Sequence, residues 1–177
     1  MDADRKQIAI LDFGSQYSHL IARRLRELNI FCELYSCLVK VDELSKHNII
    51  GIVLSGGPSS VYDEKSPHVE PCVWEYISAN SIPVLGICYG MQEMAHVFGG
   101  AVQPSTEREF GRAFIDVTEA NAEAANVLFA GVNHSQMWMS HGGIATLFTG
   151  MAMDCNFASD CSIYLYICAH VVCPTRR

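Results

Sequence analysis

The sequence predicts an α/β fold: an open, mostly parallel sheet with helices on both faces. Two observations predict it. Short apolar runs alternate along the chain with stretches of helical periodicity, the pattern of parallel β-α-β units. Several of the runs end in glycine-bearing turns, where a strand must give way to a loop or helix.

Residues 8–12 form the first apolar run, which stops at Gly14 and reads as a buried strand. In residues 16–28, Tyr17, Leu20, Ile21, Leu25 and Leu28 fall on one side at helical spacing, with Arg23, Arg24 and Arg26 largely elsewhere. Ser15 is the expected N-cap of that helix. Residues 30–35 read as a strand, and residues 49–54 form another that ends at the turn Ser55-Gly56-Gly57-Pro58. Residues 69–80 predict a helix with Val73, Trp74 and Ile77 inward, and residues 82–87 a further strand. Met91, Met94, Ala95 and Phe98 then recur at i, i+3, i+4 and i+7, a helix that Gly99-Gly100 should end. Residues 101–102, 114–117 and 137–139 read as later strands.

The length, 177 residues, allows one domain. With 50% hydrophobic and 18% charged residues, the chain has material for a core and is not a disordered tail. Its net charge is −7, and no basic cluster extends beyond Arg23-Arg24 and Arg26. A nucleic-acid partner is therefore not expected, since phosphate binding needs a positive face. No apolar run approaches the ~18–20 residues of a membrane span, and residues 8–11 are too short for a signal-peptide core. A cytoplasmic protein with no membrane partner is expected, its eight cysteines being thiols.

The segment GICYGMQ at 86–92 carries the most information. It places G-x-C-x-G between a strand and a helix, the cysteine form of a nucleophile elbow. A sharp turn there pushes one side chain out at the sheet's C-terminal edge, and flanking glycines remove Cβ atoms that would clash. The helix that follows directs its N-terminal N–H groups at the sulfur and favours the thiolate. A free cysteine is ordinarily a small buried thiol, but only Cys88 has this context, and it reads as a nucleophile. An acyl nucleophile needs oxyanion donors. The Tyr89 N–H is one candidate, and the turn at Gly56-Gly57-Pro58, which also follows a strand, supplies a second.

These stretches, together with ILDFGSQY at 10–17, LSGGPSS at 54–60, REFG at 108–111 and WMSHG at 138–142, resemble class I glutamine amidotransferase domains, specifically those of the GMP synthase type. The resemblance spans residues 8 to about 142 and implies a flavodoxin-like class I amidotransferase fold. It implies that Cys88 attacks the side-chain amide of L-glutamine and forms a thioester, with Gly57 and Tyr89 as oxyanion donors. It implies Gly56, Gln92, Ser140, His141 and Gly142 as substrate contacts, and no metal site. The released ammonia would go to an ATP-pyrophosphatase synthetase domain or subunit that aminates xanthosine monophosphate to GMP. That domain is absent from residues 1–177, and ATP and Mg2+ are implied for it alone; no cofactor is expected in this chain.

The resemblance breaks after residue 143. The family's triad needs a His and a Glu in a Q-F-H-P-E-V motif downstream of the MSHG segment, and no such motif occurs. His170 is the one histidine left, with Val171-Val172 after it where Pro-Glu belongs. His170 is therefore the candidate base without its orienting carboxylate, and otherwise a tail histidine without a role. His141 fits substrate contact; His19 and His96 read as surface or core residues on helices. Residues 144–177 contain only Asp154, Asp160, Arg176 and Arg177 as charged residues, yet hold Cys155, Cys161, Cys168 and Cys173. Residues 1–143 thus read as the amidotransferase domain and 144–177 as a divergent or aberrant tail. The cysteine spacings do not match the C-x₂₋₄-C pairs of structural zinc. Two other functions stand beside the enzyme: a catalytically impaired domain with a binding role, and an ATP-binding module on the Ser55–Ser60 turn. The latter fails on Pro58, which removes a phosphate-binding N–H, and on the lack of a P-loop lysine.

Overall fold

The computed structural model describes residues 4–116, 134–146, 163–164 and 169–170, with side chains for residues 4–100 and 102. In chain order the elements are β1 (Lys6–Asp12), α1 (Ser18–Glu27), β2 (Cys32–Ser36), α2 (Val41–Leu44), β3 (Asn48–Leu54), α3 (Pro71–Ala79), β4 (Val84–Gly86), α4 (Tyr89–Val97), β5 (Ala101–Asp116), β6 (His134–Thr146), β7 (Ile163–Tyr164) and β8 (Ala169–His170). Two sheets result. The first has the order β2-β1-β3-β4-β7 and is parallel throughout. The second, β5-β6-β8, is antiparallel.

The parallel sheet is the expected one, in the 2-1-3-4 order of doubly wound folds. An interior strand between β2 and β3, β1 is covered on both faces: Ala9, Ile10 and Leu11 are each fully buried. Alternation along the strand divides the core. Ile10 packs with Ala22, Cys32 and Val53 on the α1 side. Ala9 and Leu11 face a larger cluster that takes in Val73, Trp74 and Ile77 of α3 and Tyr89 and Met94 of α4. Burying each such side chain contributes about 1.5–3 kcal/mol.

Three expectations need correction. The buried stripe of α1 consists of Ser18 and Ala22, with Ile21 and Leu25 packed beside them; Tyr17, Leu20 and Leu28 remain exposed. The i, i+3, i+4, i+7 series therefore starts at residue 18, because small Ser18 and Ala22 let the helix sit close to the sheet. Ser15 is not the N-cap: Tyr17 holds that position, and the Ser15 hydroxyl accepts its N–H at 3.1 Å. The strand expected at 114–117 is, as far as Asp116, the far end of one long strand, β5, that starts at Ala101 and pairs with β6 in antiparallel register. Val117 lies outside the described residues, as do Cys155, Cys161, Cys168 and Cys173.

Candidate active site

The strands β1, β3 and β4 are neighbours, so the turns after their C-terminal ends meet at one edge of the sheet, where doubly wound folds bind ligands. After β4 comes the elbow. Cys88 adopts φ 53° and ψ −108°, one of three non-glycine residues with positive φ among those described. That backbone is costly for a residue with a Cβ, and such strain clusters at functional sites. The elbow holds because its neighbours leave no alternative. A Cβ on Gly86 would fall 2.8 Å from the Gly90 carbonyl and the Met91 Cα. The Gly90 N–H donates to the Ser55 carbonyl at 3.0 Å, and the Ile87 N–H to the Leu54 carbonyl at 2.9 Å. The Cys88 carbonyl accepts the N–H groups of Met91 and Gln92, both at 3.1 Å, so the helix begins at once.

Cys88 is a half-buried thiol, not in a disulfide, at the N-terminus of α4. The Tyr89 N–H, first in that helix, has no intrahelical acceptor. The Tyr89 side chain faces away into the core, donates to the Pro67 carbonyl at 2.7 Å and packs on Phe13 with ring centroids 5.0 Å apart. Burial pushes its phenol up to about 12.

The second candidate donor lies next door. A Cβ on Gly56 would sit 3.5 Å from the Cys88 Cβ and 3.6 Å from the Ser15 Oγ. Gly57 is tighter, its Cβ position being 2.8 Å from the Phe13 carbonyl oxygen. The turn does not fit a nucleotide phosphate: Pro58 lacks an N–H, and the Phe13 carbonyl oxygen crowds Gly57. Gln92 lies on the first turn of α4, half-buried. Ser140, His141 and Gly142 fall within β6, which runs alongside α4; Ser140 stands opposite Phe110 and His141 opposite Glu109. His170 ends β8, opposite Trp138. The side chains of Ser140, His141 and His170 lie outside the described set. Among the described residues no group of three or more His, Cys, Asp or Glu side chains is placed to hold a metal ion.

Sequence reasoning assigned no role to three residues that shape this edge. Asp12, at the end of β1, accepts the Gly14 N–H at 3.0 Å, the Ser15 N–H at 3.1 Å and the Ser18 hydroxyl at 2.6 Å. Burial pushes its carboxyl up, but hydrogen bonds from Ser18, Gly14 and Ser15 outweigh that and hold it below the ordinary range. Ser55 is fully buried, and its Oγ accepts the Phe13 N–H at 3.1 Å. Glu93, also fully buried on α4, accepts the Val69 N–H at 2.9 Å and pairs with His68 Nδ1 at 2.7 Å. The available signal was an acid or hydroxyl at the end of an apolar run, and a lone Glu on the apolar face of a helix. His96 is exposed on α4, the surface alternative of its sequence reading, and stacks on His68 and edges onto Tyr62.

A strained cysteine at a strand–helix turn on a parallel sheet, beside a glycine turn from the next strand, defines an amidotransferase-like site. The family model of class-I glutamine amidotransferases matches residues 9–164, and the chain belongs to that family. Within it, the chain is 50% identical over 135 residues to the GMP synthase [glutamine-hydrolyzing] of Debaryomyces hansenii, covering 76% of this chain and 24% of the relative. It is 49% identical over 153 residues to that of Saccharomyces cerevisiae, covering 84% and 27%. The chain therefore spans about a quarter of the length of these relatives. Among solved structures, a Thermoplasma acidophilum protein designated a GMP synthase subunit superposes with a TM-score of 0.65 at 28% identity, over 82% of this chain and 68% of that one. A Thermotoga maritima glutamine amidotransferase has the same fold, with a TM-score of 0.57 at 22% identity. No helix among the described residues is long and apolar enough to cross a membrane.

Proposed function

We propose that the chain hydrolyses L-glutamine through Cys88 and supplies ammonia for the amination of xanthosine monophosphate to GMP. The observation that carries this reading is the Cys88 backbone, held at φ 53° between β4 and α4 with Gly56 against its Cβ. The Cys88 thiolate attacks the amide carbon of glutamine. Charge develops on the amide oxygen, where the N–H groups of Gly57 and Tyr89 stabilise it. The C–N bond breaks, the nitrogen takes a proton and leaves as ammonia, and water hydrolyses the thioester to glutamate. Gly56, Gln92, Ser140, His141 and Gly142 contact the substrate in this reading, and His170 is the proton carrier.

The chain itself takes no cofactor. ATP and Mg2+ serve the synthetase domain or subunit, the partner that receives the ammonia in the cytoplasm. A second reading, a domain that binds this partner without turnover, rests on one observation, Val171-Val172 in place of Pro-Glu after His170; the glutamine-hydrolysing relatives do not favour it.

Glutamate and ammonia release by the full chain, alone and with a synthetase partner, tests the proposal against Cys88→Ala and His170→Ala. Release that disappears in Cys88→Ala supports it. Release that survives Cys88→Ala removes the thioester, and no release from the unaltered chain with its partner favours the second reading. An unchanged rate in His170→Ala removes that residue from proton transfer.

A further inference from the structure

The candidate oxyanion turn carries a liability. The peptide between Gly56 and Gly57 is flanked by two glycines, so it can invert with little steric penalty. A trans peptide points its C=O and N–H in opposite directions. Inversion would therefore replace the Gly57 N–H by the Gly56 carbonyl, a repulsive dipole for an oxyanion.

Ser55 bears directly on this peptide. Its hydroxyl lies 2.9 Å from the Gly56 carbonyl oxygen and 3.4 Å from Asp12 Oδ1. It has one proton for two acceptors. The Phe13 N–H occupies an oxygen lone pair at 3.1 Å, which narrows the orientations left to the hydroxyl hydrogen. Asp12 already receives the Gly14 N–H, the Ser15 N–H and the Ser18 hydroxyl. The Gly56 carbonyl is the nearer acceptor and takes the proton. Ser55 cannot shift to follow a moving peptide: its N–H donates to the Leu11 carbonyl at 3.0 Å, and its own carbonyl accepts the Gly90 N–H at 3.0 Å.

We infer that Ser55 is a positioning residue whose hydroxyl holds the Gly56 carbonyl on the β1 side, so that the Gly57 N–H is presented to the acyl oxygen of a substrate bound at Cys88. The role of that N–H rests on the glutaminase reading above; the hold on the peptide does not. Ser55 thus ties three turns together. Its backbone anchors the elbow helix at Gly90, and its side chain connects the β1 turn at Phe13 to the oxyanion turn.

The test uses Ser55→Ala and Ser55→Cys in the full chain. Cysteine nearly preserves the volume at this buried position and carries the test if alanine prevents folding. The first readout is a crystal structure of the variant, which needs no turnover. The Gly56–Gly57 peptide is expected to rotate so that the carbonyl leaves its β1-side position; a peptide that keeps its orientation overturns the inference. The second readout separates positioning from general damage. Glutaminase kcat is expected to fall about 10²-fold, as for loss of one oxyanion donor, with KM changed by no more than about twofold. Alkylation of Cys88 by iodoacetamide, which needs no oxyanion site, should keep its rate. A kcat unaltered while the peptide rotates separates Gly57 from catalysis and overturns the catalytic half. Glutaminase that persists in Cys88→Ala refutes the underlying reading, with the peptide orientation still deciding the hold.

Discussion

Gly90 lies so close to Leu54 that a Cβ on it would fall 2.5 Å from both the Leu54 Cβ and the Leu54 carbonyl oxygen. This contact brings the first turn of α4 onto the end of β3, and so brings Cys88 beside Gly56. The elbow is therefore held by an adjacent strand as much as by its own turn.

Gly90→Ala should destabilise the fold by at least about 1–3 kcal/mol, the usual range for overpacking. Gly99→Ala is the comparison, because Gly99 has φ 73° with nothing within 4 Å of its Cβ position. That change carries backbone strain alone, about 1–2 kcal/mol. Urea unfolding of both variants checks the point, and a Gly90→Ala midpoint no lower than that of Gly99→Ala would contradict the contact.

Cys88→Gly should raise stability relative to Cys88→Ala by about 1 kcal/mol, since only glycine adopts a positive φ without strain. Both variants lose the thiol and with it any thioester chemistry. Thermal melting of the pair measures the strain stored at the elbow, and equal midpoints would place that strain elsewhere.

Tyr89 predicts an alkaline limit. Its phenol, ordinarily near 10.0, is pushed up to about 12 by burial. The unfolded chain therefore releases this proton first. The stabilisation is complete below pH 10.0, begins to fall above it and is lost as the pH rises through about 12. Tyr89→Phe should show a shallower loss over that window. Part of the slope should persist, because burial and Glu33 also raise Tyr35. Urea unfolding between pH 9 and 12 measures both slopes, and identical slopes would refute the role of Tyr89.

Asp12 predicts the acid counterpart. Its carboxyl lies below its ordinary 3.8, so its contribution is present above that pH and is lost as the pH falls through the folded value. The stability gap between the unaltered chain and Asp12→Asn should be constant near neutrality and close at acid pH. A gap that persists undiminished at pH 2 would show that the amide loses something other than charge.

Much of this protein was legible in its sequence because the signals are local. Alternating apolar runs and helical stripes gave β1 to β4 and α1, α3 and α4 in order, and G-x-C-x-G marked the elbow without any knowledge of its neighbours. Where a local signal was ambiguous, packing decided. Both residues 17, 20, 21, 25 and 28 and residues 18, 21, 22 and 25 have helical spacing, and only a close sheet face selects the set with small Ser18 and Ala22. Four-residue α2 was too short to register as a period.

The sequence alone determined which residue is the nucleophile candidate and which turns flank it. Only the tertiary structure decided how those turns are coupled. Asp12 and Ser55 are 43 positions apart, and the sequence order shows no relation between them. The 2-1-3-4 strand order puts β1 beside β3 and β3 beside β4, so three separate strand ends share one edge. Hydrogen bonds across that edge act between strands, and strand pairing is a long-range choice that no local periodicity encodes.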